Sequence, residues 1–245
     1  MDSRFVDYRD DGTTFEAYVA HDPGAGVERR RPCVLVAHQW AGQSVHERGA
    51  AEAYAAQGYV GIAIDVYGKG RRGGLFDDNS ALMGPLLADR ATLRRRMLAA
   101  LASARALPMV DPDRVAAVGY CFGGLCVLDL ARTGTEDVRG VASIHGVLSP
   151  PNLGAQPEIR AKVLVLHGYD DPMAPPADML ALATELTDAK ADWQLHAYGH
   201  AKHGFTAVGA NAPERGIVYD EATHRRAVIA TDNFLEEVLG SRKPS

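Results

Sequence analysis

The sequence predicts an α/β fold in which helices cover both faces of a mostly parallel central sheet. Short apolar runs of the kind that form buried strands alternate with longer segments whose apolar residues recur at helical spacing. Such alternation is typical of parallel sheets, because parallel strands need crossover connections that are usually helices. The length suits a single domain over residues 1–245, and the composition, 47% hydrophobic and 23% charged, is ordinary for a globular protein.

The predicted elements can be followed in order along the chain. Strands are predicted at residues 14–19, 33–37, 59–64, 114–118, 138–144, 162–166 and 193–197, the first of them as an antiparallel edge strand. Helices are predicted at residues 45–57, 93–104, 125–131, 179–186 and 227–238. Because functional sites in such sheets form at the carboxyl ends of the strands, the residues that follow each strand are the functional candidates.

Charge and cysteine content narrow the class of protein. The formal net charge of −5 argues against a nucleic-acid-binding surface, which needs a basic face. The three cysteines are an odd number and form no disulfide framework, which suits a reducing compartment. The first residues lack the apolar core of a secretory signal, and no apolar run approaches the length of a membrane span. We therefore expect a cytoplasmic protein without nucleic-acid or membrane partners.

Residues 119–124, with the sequence GYCFGG, carry the main chemical signal. They lie between a predicted strand and a predicted helix, with Gly119 and Gly123 on either side of Cys121. A sharp strand-to-helix turn with this spacing is a nucleophile elbow, in which the glycines are needed because neighbouring backbone leaves no room for a Cβ. The elbow usually carries serine. A helix N-terminus favours the thiolate of a cysteine, so Cys121 suits the position chemically.

A thiol nucleophile needs a base, and the base needs a group that orients it. In α/β-hydrolases the order along the chain is nucleophile, acid, base, and the sequence after Cys121 supplies candidates in that order. Asp170 and Asp171 follow the strand predicted at 162–166, and His200 and His203 follow the strand predicted at 193–197. The order and spacing alone leave either aspartate and either histidine possible.

The chain resembles the dienelactone hydrolase family of cysteine-dependent α/β-hydrolases over residues 31–239. Four segments carry the resemblance: residues 37–42 (AHQWAG), the elbow, residues 167–172 (HGYDDP) and residues 198–205 (YGHAKHGF). The resemblance implies an α/β-hydrolase fold and a catalytic triad of Cys121, Asp171 and His203. It also implies that Trp40 contributes a backbone N–H to an oxyanion hole, where elbow geometry already places the N–H of Phe122.

Two features depart from the family pattern. Family members commonly carry glutamate where this chain has Gln39, and an amide cannot accept the thiol proton, so activation is expected to rest on His203. The residues after Phe205 also lack the arginine that holds a substrate carboxylate in the family, and either Arg71 or Arg72 could take that role. We assign Tyr67 and His145 to the pocket because each follows a predicted strand.

These patterns predict a cofactor-free hydrolase that acts on a small-molecule ester or lactone. The nine histidines show no metal-ligand spacing, and the sequence has no phosphate loop or dinucleotide fingerprint. Gln39 motivates one alternative, a non-catalytic or weakly catalytic thiol-bearing sensor or binding protein on the same fold. A thioesterase or a dehalogenase is a further alternative, although dehalogenase chemistry requires aspartate at the elbow position that Cys121 occupies.

Overall fold

The computed structural model describes residues 1–25, 30–74 and 77–240 and is built on one central sheet. The sheet strands are β1 (Asp2–Asp10), β2 (Thr13–His21), β3 (Arg31–Ala37), β4 (Val60–Ala63), β5 (Val110–Tyr120), β6 (Gly140–Ile144), β7 (Lys162–Gly168) and β8 (Trp193–Tyr198). They form an eight-stranded sheet in the order β1-β2-β4-β3-β5-β6-β7-β8. All pairs from β4 to β8 are parallel, whereas β2 runs antiparallel to both β1 and β4.

Helices cover both faces of the sheet, as the sequence predicts. One face packs against α1 (Val45–Ala56) and α6 (Glu221–Leu239), and the other against α2 (Ser80–Ala88), α3 (Arg90–Arg105), α4 (Phe122–Ala131) and α5 (Pro176–Asp188). Successive residues of a strand point to opposite faces, so Leu35 joins one apolar core and Val36 the other. A strand buried on both faces reads as a continuous apolar run, which is why β3 was predictable.

The prediction of residues 14–19 as the edge strand was wrong. The edge is β1, which pairs along its whole length with β2, from Asp2 opposite His21 to Asp10 opposite Thr13. In β1 only Tyr8 is buried, so the strand lacks the apolar alternation that would have revealed it. Two further elements were not predicted from the sequence: α2, which contains Pro85, and the short hairpin of β9 (Asn211–Ala212) and β10 (Ile217–Val218).

The topology gathers polar residues at one edge of the sheet. The segments that follow β3, β4, β5, β6, β7 and β8 all lie at the carboxyl edge, where parallel strands end side by side. These segments carry the candidate residues: Gln39 and Trp40, Tyr67, Cys121, His145, Asp171, and His203. Among the described residues, no helix combines the length and the apolar character needed to cross a bilayer.

Candidate active site

The turn between β5 and α4 holds Cys121 in a strained conformation. Its backbone has φ 55° and ψ −117°, a region that residues with a side chain rarely adopt. A Cβ added to Gly119 would lie 2.0 Å from the Gly123 carbonyl oxygen, and one added to Gly123 would lie 2.2 Å from the Ala37 carbonyl oxygen. The turn therefore tolerates no side chain on either glycine, and it has the geometry of a nucleophile elbow. Cys121 is partly exposed, whereas Cys33 and Cys126 are buried.

His203 and Asp171 form a buried pair at the same edge of the sheet. The Nδ1–H of His203 donates to Oδ2 of Asp171 at 2.8 Å, and Oδ1 of Asp171 accepts from the Met173 N–H at 2.8 Å. The histidine and the aspartate are 3% and 1% exposed, so solvent hardly competes for these bonds. Strand β10 fixes the histidine backbone, because the His203 N–H donates to Gly216 and the His203 carbonyl accepts from Val218.

The charge of His203 depends on two acidic neighbours. Burial alone would lower its pKa, but the Cys121 thiolate and the Asp171 carboxylate outweigh burial and raise the pKa to about 10. The second ring nitrogen, Nε2, is buried, and a hydrogen bond between His203 and the Cys121 side chain contributes to the raised pKa. His203 is therefore held by the Asp171 carboxylate on one side of its ring and faces Cys121 on the other.

The competing residues are not arranged in this way. His200 is fully exposed, and its Nδ1 lies 3.8 Å from Oδ2 of Asp170, which is also exposed. An exposed pair at this distance interacts weakly. The structure thus brings Asp171 and His203 together and leaves Asp170 and His200 at the surface.

Two further buried histidines flank the pair and remain neutral. Nε2 of His145 lies 2.8 Å from the Thr206 hydroxyl, and the His145 ring meets the His203 ring edge-on at 5.2 Å. Burial and the charge of His203 hold the pKa of His145 well below its usual range. His167 donates from Nε2 to the Ala174 carbonyl at 2.9 Å, and burial lowers its pKa as well. Of the three imidazoles, His203 is the one whose pKa is raised.

The loop after β3 is braced from several directions. Nδ1–H of His38 donates to the Gln39 carbonyl at 2.6 Å, while Nε2 accepts from the Val66 N–H at 3.2 Å, which fixes the ring in one tautomer. The Tyr67 hydroxyl donates to the Trp40 carbonyl at 2.9 Å. The buried Glu47 carboxylate accepts from the Gln39 N–H at 3.3 Å. These bonds fix the backbone on either side of the Trp40 N–H.

Two backbone N–H groups are available where an oxyanion could form. Phe122 is the first residue of α4, and a helix leaves its first N–H groups without intrahelical partners. In the described part of the chain, neither the Phe122 N–H nor the Trp40 N–H donates to another group. Because Gly123 packs against the Ala37 and His38 carbonyls, the two donors come from adjacent backbone segments.

Removing the brace on this loop should lower turnover without unfolding the protein. We expect Tyr67→Phe to lower kcat for p-nitrophenyl acetate by about 5- to 10-fold, because one hydrogen bond to the Trp40 carbonyl is lost. The measurement is a comparison of kcat and KM with those of the wild type. Tyr169→Phe, at an exposed position, serves as the matched control. An unchanged kcat in Tyr67→Phe would show that the brace does not act on the reaction.

The remaining predicted pocket residues have other partners. Gln39 is buried, and among the described residues its side chain makes no hydrogen bond to Cys121. Arg71 donates to the Tyr67 carbonyl, and Arg72 donates to the Gly68 and Arg71 carbonyls and lies 3.4 Å from Asp65. Both arginines are thus engaged in holding their own loop.

The structure adds a cation that the sequence did not indicate. Arg215, in the turn between β9 and β10, places its guanidinium 6.0 Å from the centre of the Trp40 ring. It lies twelve residues after His203, and only the fold of the hairpin brings it to Trp40. Among the described residues, no three histidine, cysteine or acidic side chains are grouped as metal ligands would be.

Comparison with known proteins places this geometry among related chains. A model of the dienelactone hydrolase family matches residues 15–239. The structure is similar to that of P91, a dienelactone hydrolase-like promiscuous phosphotriesterase from metagenomic libraries, with 34% identity, a TM-score of 0.91 and coverage of 98% of this chain and 99% of P91. It is also similar to the structure of m3DLH, with 35% identity, a TM-score of 0.89 and the same coverage. A Synechocystis protein, “Putative carboxymethylenebutenolidase”, is 29% identical over 189 residues, which cover 71% of this chain and 75% of the relative.

Proposed function

The chain belongs to the dienelactone hydrolase family, and from this premise we propose that it hydrolyses small carboxylic esters or lactones with Cys121 as nucleophile. His203 is the acid and base in this proposal, and Asp171 orients it. The backbone N–H groups of Phe122 and Trp40 bind the oxyanion. The reaction needs no cofactor, because each step uses groups that these residues supply.

The reaction proceeds in two halves. The thiolate of Cys121 attacks the carbonyl carbon, and the negative charge that develops on the carbonyl oxygen is stabilised by the two backbone donors. The imidazolium of His203 gives its proton to the leaving alcohol, which departs and leaves a thioester on Cys121. His203, now neutral, removes a proton from water, and the resulting hydroxide attacks the thioester. Collapse of this second intermediate releases the acid and restores the ion pair.

One observation carries the proposal. His203 is bonded to Asp171 at 2.8 Å through Nδ1, and the interactions of its ring with Cys121 and Asp171 raise its pKa. A buried histidine that a carboxylate orients and that lies beside a cysteine at a strained elbow is suited to proton transfer.

Turnover of p-nitrophenyl acetate, followed by intact-mass analysis, tests the proposal. We expect sustained release of p-nitrophenol, with at most a transient acetyl adduct on Cys121. A single stoichiometric burst with a stable adduct would support the thiol-bearing sensor instead, because the nucleophile would then react without deacylation. If neither this ester nor a panel of small lactones gives product release or an adduct, both the hydrolase and the thiol-bearing sensor would be contradicted.

The pH dependence follows from the raised pKa of His203. A raised pKa means that the protonated form persists up to about pH 10, and above that pH the proton for the leaving group is lost. We expect kcat/KM for an alkyl ester such as ethyl butyrate to fall as the pH rises through about 10. In Asp171→Asn the fall should occur at lower pH, since the carboxylate is one of the groups that raise this pKa. Titration in a pH-stat measures both profiles.

p-Nitrophenyl acetate provides the internal control for this prediction. Its leaving group departs without a proton, so its kcat/KM should fall less at alkaline pH than the kcat/KM for ethyl butyrate. Asp171→Asn should also lower the maximal rate by roughly 10⁴-fold, because the histidine loses the partner that fixes its tautomer. The same fall in kcat/KM at alkaline pH for the two esters would contradict the assignment of His203 as the acid.

Phosphotriesters are a second candidate substrate class. The observation that favours them is the 34% identity over 98% of this chain to P91, a promiscuous phosphotriesterase. A thiolate can attack phosphorus as it attacks a carbonyl carbon, and the same backbone donors would stabilise the phosphoryl oxygen. Paraoxon turnover that disappears in Cys121→Ala would support this activity. Turnover that persists in the variant would assign it to another site or to a contaminant.

A further inference from the structure

The peptide unit that joins Gln39 to Trp40 is held through its carbonyl oxygen. This oxygen accepts from the Gly42 N–H at 3.2 Å and is bonded to Nδ1 of His38 at 2.6 Å. A trans peptide is planar, and its N–H points in the direction opposite to its C=O. The bonds on the Gln39 carbonyl therefore set the direction of the Trp40 N–H, which is one of the two donors in the proposed reaction.

Only one form of the neutral His38 ring satisfies both of its bonds. Nε2 must accept, because its partner at 3.2 Å is the Val66 N–H, which can only donate. Nδ1 must then carry the proton, and it donates to the Gln39 carbonyl. The ring is 1% exposed, and burial lowers the pKa of His38, which favours the neutral form. The bond to Val66 thus selects the tautomer that can hold the Gln39 carbonyl.

The Val66 N–H that orients His38 belongs to a turn that has its own bonds. The fully buried carboxylate of Asp65 accepts from the Tyr67 N–H at 2.9 Å. Arg96 donates to the Val66 carbonyl at 2.7 Å, so both peptide groups of that residue are bonded. His38 therefore connects a well-bonded turn after β4 to the peptide that carries the oxyanion donor.

The same segment packs against the elbow that supplies the second donor. A Cβ added to Gly123 would lie 2.9 Å from the His38 carbonyl oxygen. The centre of the Tyr67 ring lies 4.5 Å from that of His38 and 5.7 Å from that of Phe122. Because the elbow and the backbone of His38 are packed together, a rotation of the next peptide would change the direction of the Trp40 N–H without moving the N–H of Phe122.

We propose that His38 is a positioning residue that directs the Trp40 N–H at the oxyanion, through the proton on its Nδ1. This proposal rests on the proposed ester chemistry, because it concerns a donor in that reaction. When the Cys121 thiolate attacks, the bond from Sγ to the carbonyl carbon forms, and the electron pair of the C=O bond moves to oxygen. A backbone donor stabilises that oxygen only when it points to the place where the charge develops.

Two substitutions separate the bond to the Gln39 carbonyl from the packing of the ring. Asparagine places an amide N–H near the position of Nδ1, whereas glutamine places its amide oxygen near the position of Nε2. His38→Asn therefore keeps the bond to Gln39, and His38→Gln keeps the bond from Val66. In His38→Gln we expect kcat for p-nitrophenyl acetate to fall about 10- to 100-fold with KM nearly unchanged, because loss of a whole donor costs roughly 10²–10³-fold. His38→Asn should keep kcat within about 5-fold of the wild type.

Trifluoroacetone tests the donor without turnover. Attack of the Cys121 thiolate on this ketone gives a tetrahedral adduct that has an oxyanion but no leaving group, and ¹⁹F NMR measures its dissociation constant. An adduct of this kind resembles the transition state and depends on the same donors. We expect His38→Gln to weaken the adduct about 10-fold or more, and His38→Asn to weaken it less.

The outcomes distinguish this proposal from the proposed function. Equal losses of kcat in the two variants would overturn it, because His38 would then act through packing alone. Wild-type kcat and adduct affinity in His38→Gln would also overturn it, and would leave the hydrolysis intact. If the wild type forms the adduct but hydrolyses no ester, and only His38→Gln weakens the adduct strongly, the positioning role stands and the proposed function fails. A wild type that forms no adduct and hydrolyses no ester would overturn both.

Discussion

Replacing Cys121 with alanine should lower kcat for p-nitrophenyl acetate by at least about 10⁴-fold, because loss of a nucleophile leaves only binding and oxyanion stabilisation. The expectation rests on position: Cys121 is the partly exposed thiol, held at φ 55° at the N-terminus of α4 and facing His203. The measurement is steady-state turnover of the purified variant, together with its melting temperature. The melting temperature should change little, because Cys121 is not part of the fully buried core.

The other cysteines provide matched controls. Cys126 lies five residues further along α4 and Cys33 lies in β3, and both are buried. Burial raises the pKa of each of these thiols, so neither is an effective nucleophile at neutral pH. Cys126→Ala should therefore retain most of the wild-type kcat, apart from any effect of a small cavity. Full activity in Cys121→Ala, or an equal loss in Cys126→Ala, would contradict the nucleophile assignment.

Much of the fold could be predicted because apolar runs mark buried strands. Strands β3 and β7 and residues 115–119 of β5 are buried on both faces, and their residues are almost continuously apolar. Strand β1 could not be predicted in this way, since it is an edge strand with mostly exposed side chains and is held by backbone pairing with β2. Backbone pairing alone leaves no periodic pattern of apolar side chains in the sequence from which the strand could be predicted.

In the candidate site, too, some residues could be predicted from local sequence motifs and others could not. Cys121 could be selected from the chain because it lies in an elbow motif, whereas only the family resemblance distinguished Asp171 from Asp170 and His203 from His200. The groups that support them depend on contacts between distant segments. The Val66 N–H donates to the His38 ring, the Thr206 hydroxyl is hydrogen-bonded to His145, and the Arg215 guanidinium lies near the Trp40 ring. Contacts of this kind are set by how strands and loops pack, and a local pattern contains no information about them.

A buried ion cluster on the α3, α4 and α5 side illustrates this limit further. Asp129 is fully buried and accepts from Arg90 at 2.6 and 2.7 Å and from Arg132 at 3.2 Å. Arg132 also donates to both carboxylate oxygens of Glu185, at 2.7 and 2.8 Å. Both arginines donate to the Ser149 carbonyl at 3.1 Å, so the cluster ties three helices to the loop after β6. Two positive and two negative charges balance each other away from water.

Removing the central carboxylate should strongly destabilise the protein. In Asp129→Ala the guanidinium groups of Arg90 and Arg132 lose the carboxylate that they share. The Glu185 carboxylate, which is bonded to Arg132, then remains as the one negative charge of the cluster. Breaking a buried ion pair on one side typically costs about 3–5 kcal/mol in the free energy of unfolding, because the remaining charge loses its compensation. For a chain of this size the melting temperature should fall by roughly 10 °C. Thermal and urea unfolding of Asp129→Ala and Asp129→Asn measure both quantities.

An exposed ion pair gives the comparison for the buried cluster. Lys162 and Glu237 lie 2.6 Å apart, as close as Arg90 and Asp129, but their side chains are 41% and 39% exposed. Solvent screens such a pair, so Glu237→Gln should cost less than about 1 kcal/mol. If Asp129→Asn lowers the free energy of unfolding no more than Glu237→Gln does, then water or another carboxylate compensates for the loss of Asp129. The cluster would then not hold the three helices together. A large difference would instead assign the effect to the buried network, because Asp129 is shared by two buried arginines whereas Lys162 keeps the exposed Asp192 at 2.9 Å when Glu237 is replaced.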